Sequence, residues 1–155
     1  MQPQDNEKLA RHIYDCFNNH DLQKGMSVVS DDVRWREMST GTTMNGKEEY
    51  LNYDKAWLRA FPDGKIDIQT LATSGEFVIV EFLGRGTHNG PLTTPQGEIS
   101  PTGKKVELSL CDVLRFRDGK LVEGHTYYDR LSLMQQVGVQ ASAARSRPQD
   151  IGQAA

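Results

Sequence analysis

The sequence predicts an α+β domain built on a curved, mostly antiparallel sheet, and three observations carry that prediction. Helical periodicity is confined to the residues before Pro62 and to a short C-terminal segment, whereas strand-like segments follow one another from residue 65 onward. Turns such as Asp118-Gly119 separate the strands, so neighbours join as an antiparallel meander. Gly84 and Gly86 fall inside one strand, which suggests a bulge or bend and a strongly curved sheet.

Each element has its own signal. Leu9, Ile13, Cys16 and Phe17 recur at helical spacing and predict a helix over residues 5–19. Residues 21–29 read as a second, short helix and 33–38 as a strand. Asn45 is an expected N-cap for a third helix, with Glu48 as its capping-box partner. On that helix Tyr50, Trp57 and Phe61 form one apolar stripe, and Pro62-Asp63-Gly64 ends it. Strands follow over about 65–73, 76–88, 104–117 and 120–128, then a helix over about 130–137 that stops at Gly138. Residues 89–103, with Pro91, Pro95 and Pro101, lack periodicity and predict a long connection that serves as a lid or contact surface. One domain over 1–138 is expected, with 139–155 a flexible C-terminal tail that has little to bury.

Composition narrows the function classes. Charged residues make up 25% of the 155 and the net charge is −3, with no basic cluster, so nucleic acid is not an expected partner. No run of 18 apolar residues exists to span a membrane, and no signal-peptide core follows the N-terminus; a cytoplasmic protein is expected. Cys16 and Cys111 read as reduced core thiols. His12, His20, His88 and His125 show no metal-ligand spacing, so no metal is expected, and the nucleophile-elbow, P-loop and dinucleotide motifs are absent.

The richest stretch is Asp118 to Gly138, a turn, a strand and a helix. Strict alternation places Leu121, Glu123, His125, Tyr127 and Asp129 on one strand face, and Val122, Gly124, Thr126 and Tyr128 on the other. If the first face lines a cavity, it can move protons.

Several segments together resemble the SnoaL-like polyketide cyclase family. They are Gly86-Thr87-His88-Asn89-Gly90, Pro101-Thr102-Gly103-Lys104, Arg115 through Glu123, Phe61-Pro62-Asp63, and Asp129 followed by Leu131, Leu133 and Gln136-Val137-Gly138. The resemblance spans about residues 5–139. It implies the α+β cone shared with ketosteroid isomerase, helices on the concave face, and ring closure by intramolecular aldol condensation. It also implies no metal or organic cofactor, a hydrophobic small-molecule substrate, a homodimer, and an acid/base Asp at the end of the last strand. By motif that residue is Asp129, which is equally good capping chemistry for the helix after it. Relatives in the same cone hydrolyse epoxides with an Asp–Arg–Asp set, for which Arg85 and Arg115 are the candidates here, or only bind ligands.

The expected catalytic residues are therefore Asp129, His125, Asp112 and His88. Asp112 lies mid-strand among leucines and shares a face with Leu110 and Leu114, so it needs a pocket or a partner. His88 either meets a ligand or pins its loop. Trp35, Tyr53, Trp57, Phe61 and Tyr127 are expected to contact ligand, and each is as readily plain core. Asp54 joins them on the helical stripe; it either reaches a pocket or marks the stripe's edge near water.

Overall fold

The computed structural model describes residues 3–139. Helix α1 (Pro3–Asn18) leads into α2 (Leu22–Gly25) and a single 3-10 turn, then β1 (Val29–Glu37), β2 (Thr42–Asn45) and α3 (Lys47–Ala60). The rest is β3 (Lys65–Ser74), β4 (Phe77–Thr87), the small strands β5 (Leu92–Thr94) and β6 (Gly97–Ile99), β7 (Lys105–Arg117), β8 (Lys120–Tyr128) and α4 (Arg130–Gln136). Six strands form one sheet in the order β2-β1-β8-β7-β4-β3. Every pairing in it is antiparallel except β1 with β8, which is parallel. The α+β class and the mostly antiparallel sheet follow the sequence prediction.

Local chemistry shifts some boundaries. The predicted cap at Asn45 moves on by one residue, because β2 runs through Asn45, which pairs with Arg34. Gly46 then turns the chain at φ 93°, and the Asn45 N–H donates to Glu49 Oε2 at 2.7 Å rather than engaging Glu48. The predicted loop 89–103 contains the β5–β6 hairpin, which docks on α3 through buried Leu92 and an Arg59–Glu98 ion pair of 2.9 Å. Gly84 and Gly86 mark no bulge, since β4 pairs with β7 in unbroken register from Phe77 to Thr87. They leave room instead: a Cβ on Gly86 would lie 2.8 Å from Phe61 Cβ. The register breaks fall elsewhere, between Ile68 and Thr70 in β3, opposite the Arg115–Phe116 step in β8, and between Val29 and Arg34 in β1.

The break in β8 decides which side chains face inward. Phe116 pairs with Leu121 and Leu114 with Gly124, so β8 takes three residues where β7 takes two. The phase of β8 inverts across the extra residue. Leu121, Gly124 and Thr126 are buried, while Tyr127 is 43% exposed. The strict alternation that grouped His125, Tyr127 and Asp129 with Leu121 therefore fails.

The buried side chains fall into two clusters. The larger gathers Ile13, Tyr14, Val33, Trp35, Tyr50, Val78, Val80, Phe82, Leu114 and Phe116 with their neighbours. The smaller holds Ala60, Phe61, Leu92, Val106, Leu108, Leu133 and Val137. Helices α1 and α3 pack on the sheet from β4 and β3 at one side to β1 and β2 at the other, and α4 packs on β7. Val139 packs against the smaller cluster, and the rest of the expected tail, 140–155, lies outside the described residues. Among the described residues no helix is long and apolar enough to cross a membrane.

Candidate active site

A cavity of about 120 Å³ occupies the gap between the two clusters. Its walls are Tyr14 and Ile13 from α1, Tyr50, Tyr53, Asp54 and Trp57 from α3, and the inward rows of the sheet. Tyr50, Tyr53, Asp54 and Trp57 follow helical spacing, so a single face of α3 supplies them. Lys65 and Arg85 border it on the exposed side and mark its mouth.

Two carboxyls share this apolar space. Asp112 on β7 is 4% exposed and accepts a 2.7 Å hydrogen bond from the Tyr14 hydroxyl. Its Oδ1 is buried with no hydrogen bond of strict geometry. Burial raises the Asp112 carboxyl to about 6, held from rising further by the hydroxyls of Thr126 and Tyr14. Asp54 faces the cavity from α3, so the pocket alternative is the one realised. Burial, reinforced by the Asp112 charge, raises its carboxyl to about 8. Of the two, Asp54 is therefore the one that holds its proton to the higher pH. The phenols of Tyr14 and Tyr50 are pushed well above their ordinary range, by burial first and by these carboxylates second, and remain donors.

Gly124 explains how Trp35 reaches the cavity. It lies opposite Trp35 across the β1–β8 pairing, and a Cβ there would fall 2.2 Å from the indole ring. The indole sits over bare backbone and tilts against Tyr50, ring centroids 4.8 Å apart.

The predicted site residues thus divide. Asp112, Trp35, Tyr53, Asp54, Trp57 and Phe61 line the cavity. His125 and Tyr127 do not, because the β8 bulge turns them to the outer face, where His125 Nε2 lies 3.4 Å from Glu123. Asp129 is exposed and caps α4, its Oδ1 accepting the Ser132 N–H at 3.1 Å. His88 is fully buried and pins the connection after β4. Thr102 N–H donates to its Nδ1 at 3.3 Å, its ring packs 5.7 Å from Phe61, and burial lowers its pKa. Arg115 is held on the outer face by Glu76 and Glu123, and Arg85 pairs with Glu107 and Asp67. Neither stands between the two carboxyls as an Asp–Arg–Asp set requires.

Sequence reasoning missed Tyr14, Tyr50 as a site residue, and Thr126. Tyr14 had a readable signal, since Ala10, Ile13, Tyr14 and Phe17 fit helical spacing as well as Leu9, Ile13, Cys16 and Phe17 do. Thr126 had none, because its inward direction depends on the bulge.

A hollow α+β cone with polar groups deep inside an apolar chamber is the architecture of a small-molecule site. The sequence pattern of the SnoaL-like polyketide cyclases matches residues 7–137, and the chain belongs to that family. No curated protein matches it at a significant level. Among solved structures it is similar to a candidate SnoaL-like polyketide cyclase from Jannaschia sp. CCS1, with TM-score 0.80, 15% identity, and 90% and 95% of the two chains covered. It is also similar to AclR, a candidate hydroxylase from Streptomyces galilaeus, with TM-score 0.76, 21% identity, and 90% and 100% covered. IdmH, a candidate polyketide cyclase from Streptomyces antibioticus, aligns with TM-score 0.72 at 25% identity over 86% and 99%.

Proposed function

We propose that the protein is an acid–base enzyme acting on a small hydrophobic carbonyl compound, as an aldol-type cyclase or a related isomerase. The observation that carries this reading is the pairing of Asp54 and Asp112 in one apolar cavity, where burial raises both carboxyls and Asp54 the further, the order that an acid and a base require. Asp112 takes a proton from a carbon next to a carbonyl, and the C–H electrons pass into the enolate. In cyclisation the enolate carbon bonds a second carbonyl carbon and the new alkoxide takes the Asp54 proton; in isomerisation the proton returns at another carbon. Tyr14 holds Asp112 in place. Acceptor and donor are both side chains, so the reading calls for no cofactor. Asp129 has no part in it, since its carboxylate is engaged at the helix start.

Deuterium exchange at the α-carbon of small aryl 1,3-diketones, followed by NMR, tests the reading. The wild type should exchange faster than buffer, with a rate that rises through about pH 6 and falls above about pH 8. Asp112→Asn should slow exchange by about 100-fold or more. A folded Asp112→Asn variant that exchanges at the wild-type rate rules the reading out.

The outer sheet face supports a second copy of the chain as partner. Phe77 and Ile79 on β4 and Tyr127 on β8, with β7 between them, are 43%, 39% and 43% exposed, apolar surface on one sheet face that a homodimer would cover. Light scattering should give twice the 17.4 kDa chain mass, and Ile79→Asp should return it to one chain. A monomeric wild type at micromolar concentration refutes the pairing.

A further inference from the structure

A second cavity, of about 280 Å³, lies on the other side of Tyr53, Trp57 and Leu133, which wall both chambers. The β5–β6 hairpin closes it through Leu92, Thr93, Thr94 and Pro95. Its polar centre is Glu37, the last residue of β1, which is 7% exposed. Tyr128 Oη and Ser39 Oγ both donate to Glu37 Oε1, the latter at 3.1 Å. Among the described residues no hydrogen bond engages Oε2 and no cation pairs with Glu37. Arg130, the one cation on the lining, instead reaches Gln96 Oε1 at 3.4 Å.

Glu37 thus lines the chamber with two hydroxyl donors on one oxygen and no cationic partner, and a cation entering there would gain a charge-assisted contact. Three aromatic rings stand among the threonines and aliphatic residues that line the chamber, and neighbouring rings meet near right angles. Tyr53 and Trp57 meet at 86° with centroids 6.2 Å apart, and Trp57 and Tyr128 at 81° with centroids 5.8 Å apart. Rings set as a corner around a carboxylate offer an organic cation both charge and π-faces.

We propose that this chamber is a binding site for a substituted ammonium group, with Glu37 as its counter-ion and Tyr53, Trp57 and Tyr128 as its cage. The ligand supplies the positive charge that the fold withholds from Glu37. The site stands apart from Asp54 and Asp112 and does not depend on the acid–base reading.

The test uses choline and its neutral carbon isostere, 3,3-dimethylbutan-1-ol, titrated into the full chain by calorimetry. Choline should bind saturably, about tenfold or more tighter than the isostere, and Glu37→Gln should erase that preference. Asp112→Asn should leave choline affinity unchanged. Should Glu37→Gln fail to fold, NMR contacts between the choline methyls and the rings of Trp57 and Tyr128 in the wild type decide the matter. Equal affinity for the two probes, no saturable choline binding, or methyl contacts to Tyr14 and Phe82 instead would each overturn the proposal.

Discussion

Asp112 and Asp129 show how much one residue's surroundings settle. Both are aspartates in or beside a strand, and their chemistry diverges because one carboxyl meets a phenol in an apolar hollow and the other meets a helix N-terminus in water. Asp129→Ala should cost about 1 kcal/mol in denaturant unfolding, the usual value of a cap, and leave proton exchange at its wild-type rate. Loss of exchange in a stably folded Asp129→Ala would return the catalytic role to that residue. Gly124 is the opposite case, a position where nothing larger fits. Gly124→Ala should lower the melting temperature by several degrees, because the new Cβ would fall 2.2 Å from the Trp35 ring, which must then leave its place. An unchanged melting temperature would show that the indole yields freely. The inward pointing of Asp112 was legible from its leucine neighbours, whereas the direction of Gly124 was not.

At the scale of elements, the sequence exposed whatever rests on uninterrupted period. The bounds of β7, β8 and α4 follow from alternation and from the Asp118-Gly119 and Gly138 stops, and α3 presents its stripe as read. What could not be read depends on pairing between distant segments. The extra residue in β8 exists only relative to β7, and no local propensity announces it. That single residue exchanges the predicted catalytic face, with His125 and Tyr127, for one carrying Gly124 and Thr126. The β5–β6 hairpin was hidden for a related reason. Its strands have three residues each, too short for period to register, and its place is fixed by docking on α3.

The whole molecule carries a stability cost for its two buried carboxyls. An unfolded aspartate titrates near 3.9. Asp54 and Asp112 are raised to about 8 and about 6 when folded, so the native state holds protons that the unfolded chain has released. Their contribution therefore falls as pH rises from about 4 to about 8. Asp54→Asn removes the larger share of that loss, and its melting temperature should gain on the wild type between about pH 4 and about pH 8 and level off above. A gap that stays constant with pH would mean that Asp54 is ionised throughout. The sheet also links the two chambers. Val80, Asp112, Thr126 and Glu37 pair in one row across β4, β7, β8 and β1. The carboxylate of each chamber thus stands on the same rung, with one threonine between them. Strand spacing makes the rung a ruler: two steps of about 4.8 Å separate the backbones at Asp112 and Glu37. Backbone hydrogen bonds hold that interval, and no side-chain substitution lengthens it. Diversification of this scaffold toward larger or smaller molecules then falls to the partition, Tyr53 and Trp57 on α3, while the backbone interval between Asp112 and Glu37 is inherited unchanged.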